Sequence, residues 1–197
     1  MKKIFLIGDS IRVGFLEEET RKYGYGFHIQ KKLAGRAVVY NTRDNCRFLQ
    51  YVLRYLHEWK VEVGAGEDID IVHWNTGLWD VLRLFGDECL TPIEEYKKLL
   101  VRVLNQIHHL FPKAKVYFSL STPVMEEMAS ADFNRRNEDI QRYNAAATEI
   151  LSPLGVEIID LYTKAKTLQP QYSRDWVHYN EEGASILADF IIQALDL

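Results

Sequence analysis

The sequence predicts a three-layer α/β/α protein, in which a parallel sheet of five strands lies between two layers of helices in one domain of residues 1–197. Short segments rich in β-branched and aromatic residues recur along the chain, and amphipathic helical patterns separate them. The predicted strands are residues 4–7, 37–40, 69–74, 115–120 and 156–159. Their nearly continuous apolar character is typical of strands that are buried on both faces, as in a parallel sheet.

The first predicted strand ends at Gly8, and Asp9 and Ser10 follow it directly. Ser10 is a candidate helix cap, a candidate residue of a phosphate-binding loop, and a candidate nucleophile at the edge of the sheet. The phosphate loop fits poorly, because the stretch lacks the glycine-rich run and the lysine of a P-loop, and because Asp9 would repel phosphate. This stretch alone leaves the other two interpretations open.

Clear signals bound the later helices. After the third strand, a capping box runs from Thr91 to Glu94, with Pro92 predicted at the first helical position. Asn180 is a good N-cap for the last helix, because the side-chain oxygen of asparagine can accept a hydrogen bond from the first turn. Between the fourth strand and the next helix, residues 121–133 form a long irregular stretch of the kind that often borders a site. Within and after it, residues 126–136 are interpreted as a solvated loop and helix start.

Composition excludes several classes of protein. The formal net charge of −4 gives no electrostatic reason to expect a nucleic-acid partner. The two cysteines, Cys46 and Cys89, fit a reducing compartment better than a disulfide framework. The first apolar run is too short for a signal peptide, and no run approaches the length of a membrane span, so we expect a cytoplasmic protein. No Cys/His spacing matches a zinc site, and no metal or other cofactor is expected.

A candidate acid–base pair lies just before the last helix. Asp175 precedes His178 by three residues in a loop, where a carboxylate can bond one ring nitrogen and fix the tautomer of the imidazole. The other nitrogen can then accept a proton from a hydroxyl, and Ser10 supplies that hydroxyl if the loop folds over the end of the first strand. His73 is the other candidate base, but it lies in a predicted strand and would point into a face of the sheet.

The stretches IFLIGDS and DWVH resemble the first and last motifs of the SGNH (GDSL-type) hydrolase family, and HYNEEGASILA is similar to the end of that family's chains. The motifs stand in the family's order and span almost the whole chain. The resemblance implies a flavodoxin-like sheet of strand order 2-1-3-4-5. It also implies ester hydrolysis through an acyl-enzyme without a metal or organic cofactor. Carried over by position, Ser10 is the nucleophile, His178 is the general base and later acid, and Asp175 orients His178.

The middle motifs depart from the family's pattern. If Asn41 opens the second motif, Cys46 takes the place of the glycine whose N–H usually helps to hold the oxyanion. The third motif reads GLWD, so Trp79 replaces the asparagine that usually donates to the oxyanion. We therefore expect an oxyanion hole made by the backbone N–H groups of Ser10 and Cys46 and by the side chain of Asn75. The indole N–H of Trp79 is the alternative to Asn75.

Three further residues are candidates for substrate binding. Trp79 and Trp176 flank the motifs, and the alternatives for them are a platform that stacks on a sugar and ordinary packing. Arg12 follows the nucleophile closely, and it either meets an anionic group of the substrate or pairs with one of the glutamates at positions 17–19.

These features predict a serine esterase that hydrolyses a small acyl ester, and the acyl group we expect is acetyl. NCRF and WNTGLWD look like a sugar-esterase branch of the family, so the expected partner is a small-molecule ester, namely an acylated sugar. One alternative is a lipid or thioester acyl hydrolase of the same fold, against which the chain shows no long apolar lid. The other is a catalytically inactive carbohydrate-binding domain, which the altered middle motifs favour and the intact Ser10, Asp175 and His178 oppose.

Overall fold

A sheet of five parallel strands forms the centre of this computed structural model, which describes residues 1–14, 18–195 and 197. The strands lie in the order β2-β1-β3-β5-β7. Their bounds are Lys2–Gly8 for β1, Ala37–Asn41 for β2, Ile71–Asn75 for β3, Lys115–Ser119 for β5 and Glu157–Ile159 for β7. The predicted fold class is confirmed, and the strand order is the one that the family resemblance implies.

The apolar strand sequences form the core because the sheet is covered on both faces. Residues 4–7 of β1 are fully buried, and every residue of β3 is buried. β1 pairs with β3 in a register that sets Gly8 opposite Asn75 at the carboxyl end of both strands. In open parallel sheets, ligands bind at this end, so this edge is where a site is expected.

Seven α-helices of the described residues surround the sheet. Their bounds are Ser10–Val13 for α1, Tyr25–Lys32 for α2, Leu49–Glu62 for α3, Ile93–Leu110 for α4, Asn137–Leu151 for α5, Leu161–Lys166 for α6 and Glu181–Ala194 for α7. α2 packs against α7, which packs against α6, whereas α4 packs against α3 and α5. Right-handed crossovers place these two groups on opposite faces of the sheet, because the chain reverses its direction across the sheet after β2.

The helix boundaries follow the sequence signals closely. α4 begins at Ile93, and Pro92 is its N-cap rather than its first residue, a shift of one position from the prediction. Asn180 caps α7 as predicted, because its Oδ1 accepts a hydrogen bond from the N–H of Gly183 at 2.9 Å. The N–H of Asn180 also donates to the carbonyl of Tyr172, which ties the start of α7 to the loop that carries Asp175 and His178.

A second, smaller ladder was not predicted. β4, Arg83–Leu84, pairs antiparallel with β6, Phe133–Asn134, and the N–H of Phe85 donates to the carbonyl of Asp132 at 2.9 Å. Strands of two residues carry no periodicity that a sequence could reveal. The ladder joins the segment that follows β3 to the segment that follows β5.

No helix within the described residues has both the length and the apolar character that a membrane crossing requires.

Candidate active site

The turn after β1 presents Ser10 at the carboxyl edge of the sheet. Asp9 is the N-cap of α1, and its Oδ1 accepts a hydrogen bond from the N–H of Ile11 at 2.9 Å. Ser10 is therefore the first residue of a short helix, and Asp9 rather than Ser10 is the cap. This removes the helix-cap interpretation of Ser10 and leaves its hydroxyl free for another partner.

The loop before α7 is closed on itself by backbone hydrogen bonds. The N–H of Arg174 donates to the carbonyl of His178 at 2.8 Å, and the N–H of Asn180 donates to the carbonyl of Tyr172 at 2.8 Å. Asp175 Oδ1 accepts from the N–H groups of Val177 and His178, both at 2.8 Å. The carboxylate is consequently fixed to the loop that carries the imidazole.

Ser10, His178 and Asp175 form one hydrogen-bonded chain. His178 Nε2 lies 2.8 Å from Ser10 Oγ, and His178 Nδ1 lies 2.8 Å from Asp175 Oδ2. A proton on Nδ1 that is donated to the carboxylate leaves Nε2 as an acceptor for the serine hydroxyl. The structure thus brings together the three residues that the two end motifs singled out.

The carboxyl group of Asp175 is held in its ionised form. Burial opposes ionisation, but hydrogen bonds from the His178 ring and from the backbone N–H groups of His178 and Val177 outweigh it. Together they hold the pKa of this carboxyl well below its usual value. An ionised carboxylate at this position stabilises the imidazolium that forms when the ring takes a proton.

His73, the other candidate base, is 0% exposed within β3. Its Nε2 lies 2.7 Å from Ser119 Oγ, inside the sheet layer. Burial, together with the charge of Arg12, lowers the pKa of His73 to about 3. His73 is therefore a neutral structural residue, as its place in a strand suggested.

The expectation that Cys46 and Asn75 donate to the oxyanion is corrected by the structure, because both groups donate to backbone carbonyl oxygens instead. The Cys46 N–H donates to the carbonyl of Gly8 at 3.1 Å. The side chain of Asn75 is 1% exposed, and its Nδ2 donates to the carbonyl of Ser119 at 2.9 Å. Asn75 does not point to the site because the extended backbone of β3 ends at this residue and Gly77, with φ of 137°, turns the chain.

The expectation that Arg12 meets the substrate is wrong, because this side chain is 0% exposed. Its guanidinium donates to the carbonyl oxygens of Gly8 at 3.1 Å, Thr42 at 2.7 Å and Asp44 at 2.5 Å. Arg12 therefore ties the end of β1 to the segment after β2. Of the glutamates considered as its alternative partners, Glu17 lies outside the described residues.

A cavity of about 250 Å³ opens beside the nucleophile. Ser10 and His178 line it together with Trp79 and Trp176. Both tryptophans are half-buried, so their rings are accessible to a ligand. Two of the three residues proposed for substrate binding, Trp79 and Trp176, therefore lie beside the nucleophile, where their rings can both pack and contact a ligand.

Sequence reasoning missed Phe133 and Arg135, which also line this cavity. The interpretation of residues 126–136 as solvated is wrong for Arg135, which is 4% exposed. The signal that could have found them is the long irregular stretch after the fourth strand, because such stretches border sites at the carboxyl edge. Among the described residues, no three His, Cys, Asp or Glu side chains are grouped as ligands for a metal ion.

Comparison with solved structures finds the same fold in several proteins. The acetyl xylan esterase AlAXEase superposes with a TM-score of 0.71 at 18% identity, over 98% of this chain and 99% of that chain. A lipase/acylhydrolase from Enterococcus faecalis superposes with a TM-score of 0.69 at 20% identity, over 99% of this chain and 95% of that chain. An acetylxylan esterase from Geobacillus stearothermophilus superposes with a TM-score of 0.66 at 16% identity, over 100% of this chain and 94% of that chain. At these identities the likeness concerns the fold.

A search of the curated proteins finds no similar sequence. The comparison with protein families, in contrast, matches residues 6–186 to the GDSL-like Lipase/Acylhydrolase family. The match begins within β1, just before Ser10, and ends within α7, after His178, so it includes Gly8, Asp9 and Ser10 as well as the DWVH motif. The chain therefore belongs to the GDSL-like lipase/acylhydrolase family, and it is an ester hydrolase of the SGNH type.

Proposed function

We propose that this protein is a serine esterase that removes a small acyl group, acetyl above all, from a carbohydrate ester. The observation that carries the proposal is the hydrogen-bonded chain from Ser10 Oγ through His178 to Asp175, with 2.8 Å at each link. A serine hydroxyl is a weak nucleophile unless a base lies within hydrogen-bond reach, and here the base is in place and oriented.

The reaction proceeds in two halves. Ser10 Oγ attacks the ester carbonyl while its proton passes to His178 Nε2, and the imidazolium is stabilised by the ionised Asp175. His178 returns the proton to the leaving alcohol, which leaves an acyl group on Ser10. Water then attacks this acyl-enzyme with His178 again as the base, and Ser10 and the free acid are regenerated.

The oxyanion of the tetrahedral intermediate needs donors placed in advance. The N–H of Ser10 lies in the first turn of α1, where backbone N–H groups have no acceptor within the helix. It is the donor that we assign to the oxyanion. The Cys46 N–H is bonded to the Gly8 carbonyl, and the Asn75 side chain is buried and bonded to the Ser119 carbonyl, so neither is part of this assignment.

The cavity supports a small acyl group and a sugar. Its volume of about 250 Å³ is modest, and the half-buried rings of Trp79 and Trp176 offer flat apolar surfaces for a sugar ring. Two proteins of the same fold are acetyl xylan esterases by name, which agrees with an acetylated carbohydrate as substrate. The lipid acyl hydrolase alternative needs room for a long acyl chain, and the modest volume of this cavity supports a small acyl group instead.

Labelling with a fluorophosphonate probe tests the nucleophile. We expect mass spectrometry to find the adduct on Ser10 alone, and Ser10→Ala to abolish it. Ser185, which lies on the surface of α7, gives the matched control Ser185→Ala, and labelling of that variant should be unchanged. Labelling that persists in Ser10→Ala would contradict the assignment.

Hydrolysis of 4-nitrophenyl esters tests the acyl group. We expect kcat/KM to fall steadily from acetate through butyrate to octanoate, because the cavity is small. Release of acetate from peracetylated xylose and from acetylated xylan then tests the carbohydrate. A preference for octanoate would support the lipid acyl hydrolase, and sugar binding without any hydrolysis would support the inactive carbohydrate-binding domain.

A further inference from the structure

Arg135 is a nearly buried cation in the wall of the active-site cavity. It stands between β6 and α5, is 4% exposed, and lines the same cavity as Ser10 and His178. Its Nε donates to the carbonyl of Leu78, which fixes the plane of the guanidinium. Within the part of the chain that the structure describes, neither of its two terminal nitrogens has a hydrogen-bond partner.

Three aromatic rings surround this guanidinium. Its Cζ lies 5.5 Å from the ring centroid of Trp79, 5.4 Å from that of Trp176 and 5.6 Å from that of Phe133. Contacts of this length are attractive for a cation, and they also displace water from around it. The rings therefore hold the guanidinium in place but satisfy none of its N–H groups.

The nearby carboxylates do not satisfy these N–H groups either. Burial lowers the pKa of Arg135 to about 10, and the charges of Asp9 and Asp175 act against this, so Arg135 stays protonated at neutral pH. Asp175 is already bonded to the His178 ring and to two backbone N–H groups. Asp9 caps α1, and no ion pair joins either carboxylate to Arg135 among the described residues.

A largely buried charge with unused donors is costly unless water in the cavity or a ligand supplies the acceptors, and a ligand that fills the cavity displaces that water. The terminal nitrogens of an arginine form a planar fork that matches the two oxygens of a carboxylate. We propose that Arg135 binds a carboxylate group of the substrate, so that the enzyme prefers esters of acidic molecules, such as an acylated acidic sugar, over neutral esters. This proposal rests on the esterase function proposed above.

Two pairs of esters test the proposal and locate the carboxylate. The first pair, 4-acetoxybenzoate and its methyl ester, carries the carboxylate on the leaving alcohol. The second, 4-nitrophenyl hemisuccinate and 4-nitrophenyl butyrate, carries it on the acyl group. We expect the acidic member of one pair to have the higher kcat/KM, and the pair concerned identifies the side of the ester that faces Arg135.

The variant Arg135→Gln should lower the ratio of acidic to neutral kcat/KM by about 10–100-fold, because a charge-assisted pair of hydrogen bonds is lost. Arg135→Lys keeps the charge without the fork and should retain part of the preference. Arg136→Gln is the matched control, since this neighbour is exposed and the same charge is removed one residue away. An unchanged ratio in Arg135→Gln, or no preference in the wild type, would overturn the proposal.

A binding measurement separates this proposal from the esterase function. Trp79 and Trp176 lie within 6 Å of the guanidinium, so their fluorescence reports its occupation. In Ser10→Ala, which cannot form an acyl-enzyme, we expect sodium glucuronate to change the fluorescence saturably and methyl glucoside to change it far less. Arg135→Gln in the same background should remove the difference. If glucuronate binds but no ester is hydrolysed, the esterase proposal fails alone; if neutral esters are hydrolysed but glucuronate does not bind, the carboxylate proposal fails alone.

Discussion

The loop from 172 to 180 and the segments that follow β2 and β3 both carry polar residues to the edge of the sheet, but they use them differently. In the loop, backbone groups satisfy Asp175 Oδ1, and the imidazole of His178 extends to Ser10 Oγ. In the segment after β2 and at the end of β3, the polar groups turn inward. The Cys46 N–H and the Asn75 side chain both bond backbone carbonyl oxygens.

The difference shows what makes a polar residue available for chemistry. At the carboxyl end of a strand, some backbone carbonyl oxygens have no partner in the sheet, and a nearby side chain can donate a hydrogen bond to them. A side chain that does so supports the fold and has little left to offer a substrate. His178 is available because the loop around it closes its own backbone hydrogen bonds.

The largest expected effect is on the loop side. His178→Ala should lower kcat by about a thousandfold or more, because the members of such a triad act as a unit. Steady-state hydrolysis of 4-nitrophenyl acetate measures it. His108→Ala, an exposed histidine of α4, is the control and should behave as wild type. A near-normal rate in His178→Ala would mean that the loop residues, like Cys46 and Asn75, are structural rather than catalytic.

On the other side, Arg12→Gln should cost at least about 3 kcal/mol of unfolding free energy, because several buried carbonyl oxygens lose their donor at once. Urea denaturation measures the loss, and Arg36→Gln, an exposed arginine before β2, provides the control. If Arg12→Gln kept full stability but lost affinity for an ester, Arg12 would be a substrate residue after all.

Asn75→Ala should lower the unfolding free energy by about 1–3 kcal/mol, since the carbonyl of Ser119 is left without its donor. Its kcat should change much less than that of His178→Ala. Trp79→Phe, which keeps the ring and deletes the indole N–H, should likewise have a small effect on kcat. A large loss of kcat in Asn75→Ala at unchanged stability would restore the oxyanion role predicted from the sequence.

The remaining expected effect is confined to the pH dependence of stability and concerns Asp80, whose Oδ1 accepts from the N–H of Leu49 at 3.3 Å. Burial raises the pKa of Asp80 to about 7, whereas in the unfolded chain it is about 4. Between these values the folded state binds more protons, so this group makes stability fall as pH rises from about 4 to 7. Three pH units at about 1.4 kcal/mol each put that fall at roughly 4 kcal/mol, and Asp80→Asn should remove most of it.

Urea denaturation at pH 5 and at pH 7.5 measures this dependence in both proteins. Glu62→Gln, at the exposed end of α3, is the control and should follow the wild type. A pH dependence that is identical in Asp80→Asn and in the wild type would mean that Asp80 is ionised in the folded protein.

The parts of the molecule that the sequence predicted are those fixed by local patterns. Strand β1, the cap at Asn180 and the spacing of Asp175 and His178 each depend on neighbours within a few residues, so the chain alone reveals them. The strand order came from the family resemblance. Whether the Cys46 N–H is free depends on Gly8, which lies far away in the chain, and no local pattern contains that information.

Arg135 was missed for the same reason. Its neighbours in the sequence, Asn134 and Arg136, are polar and gave the segment a solvated character. Its burial comes from Trp79 and Trp176, which belong to other loops, so only the assembled fold shows that an arginine lies beside the nucleophile.

The ladder of β4 and β6 holds Phe133 and the chain that leads to Arg135 with only two residues on each strand. A pairing this short opens locally at far lower free energy than the five-stranded sheet, so its amide protons should exchange long before those of β1. We therefore expect the cavity wall that contains Phe133 and Arg135 to open independently of the turn that carries Ser10. Substitutions in the ladder should then shift Phe133 and Arg135 while the hydrogen bond between Ser10 and His178 is kept.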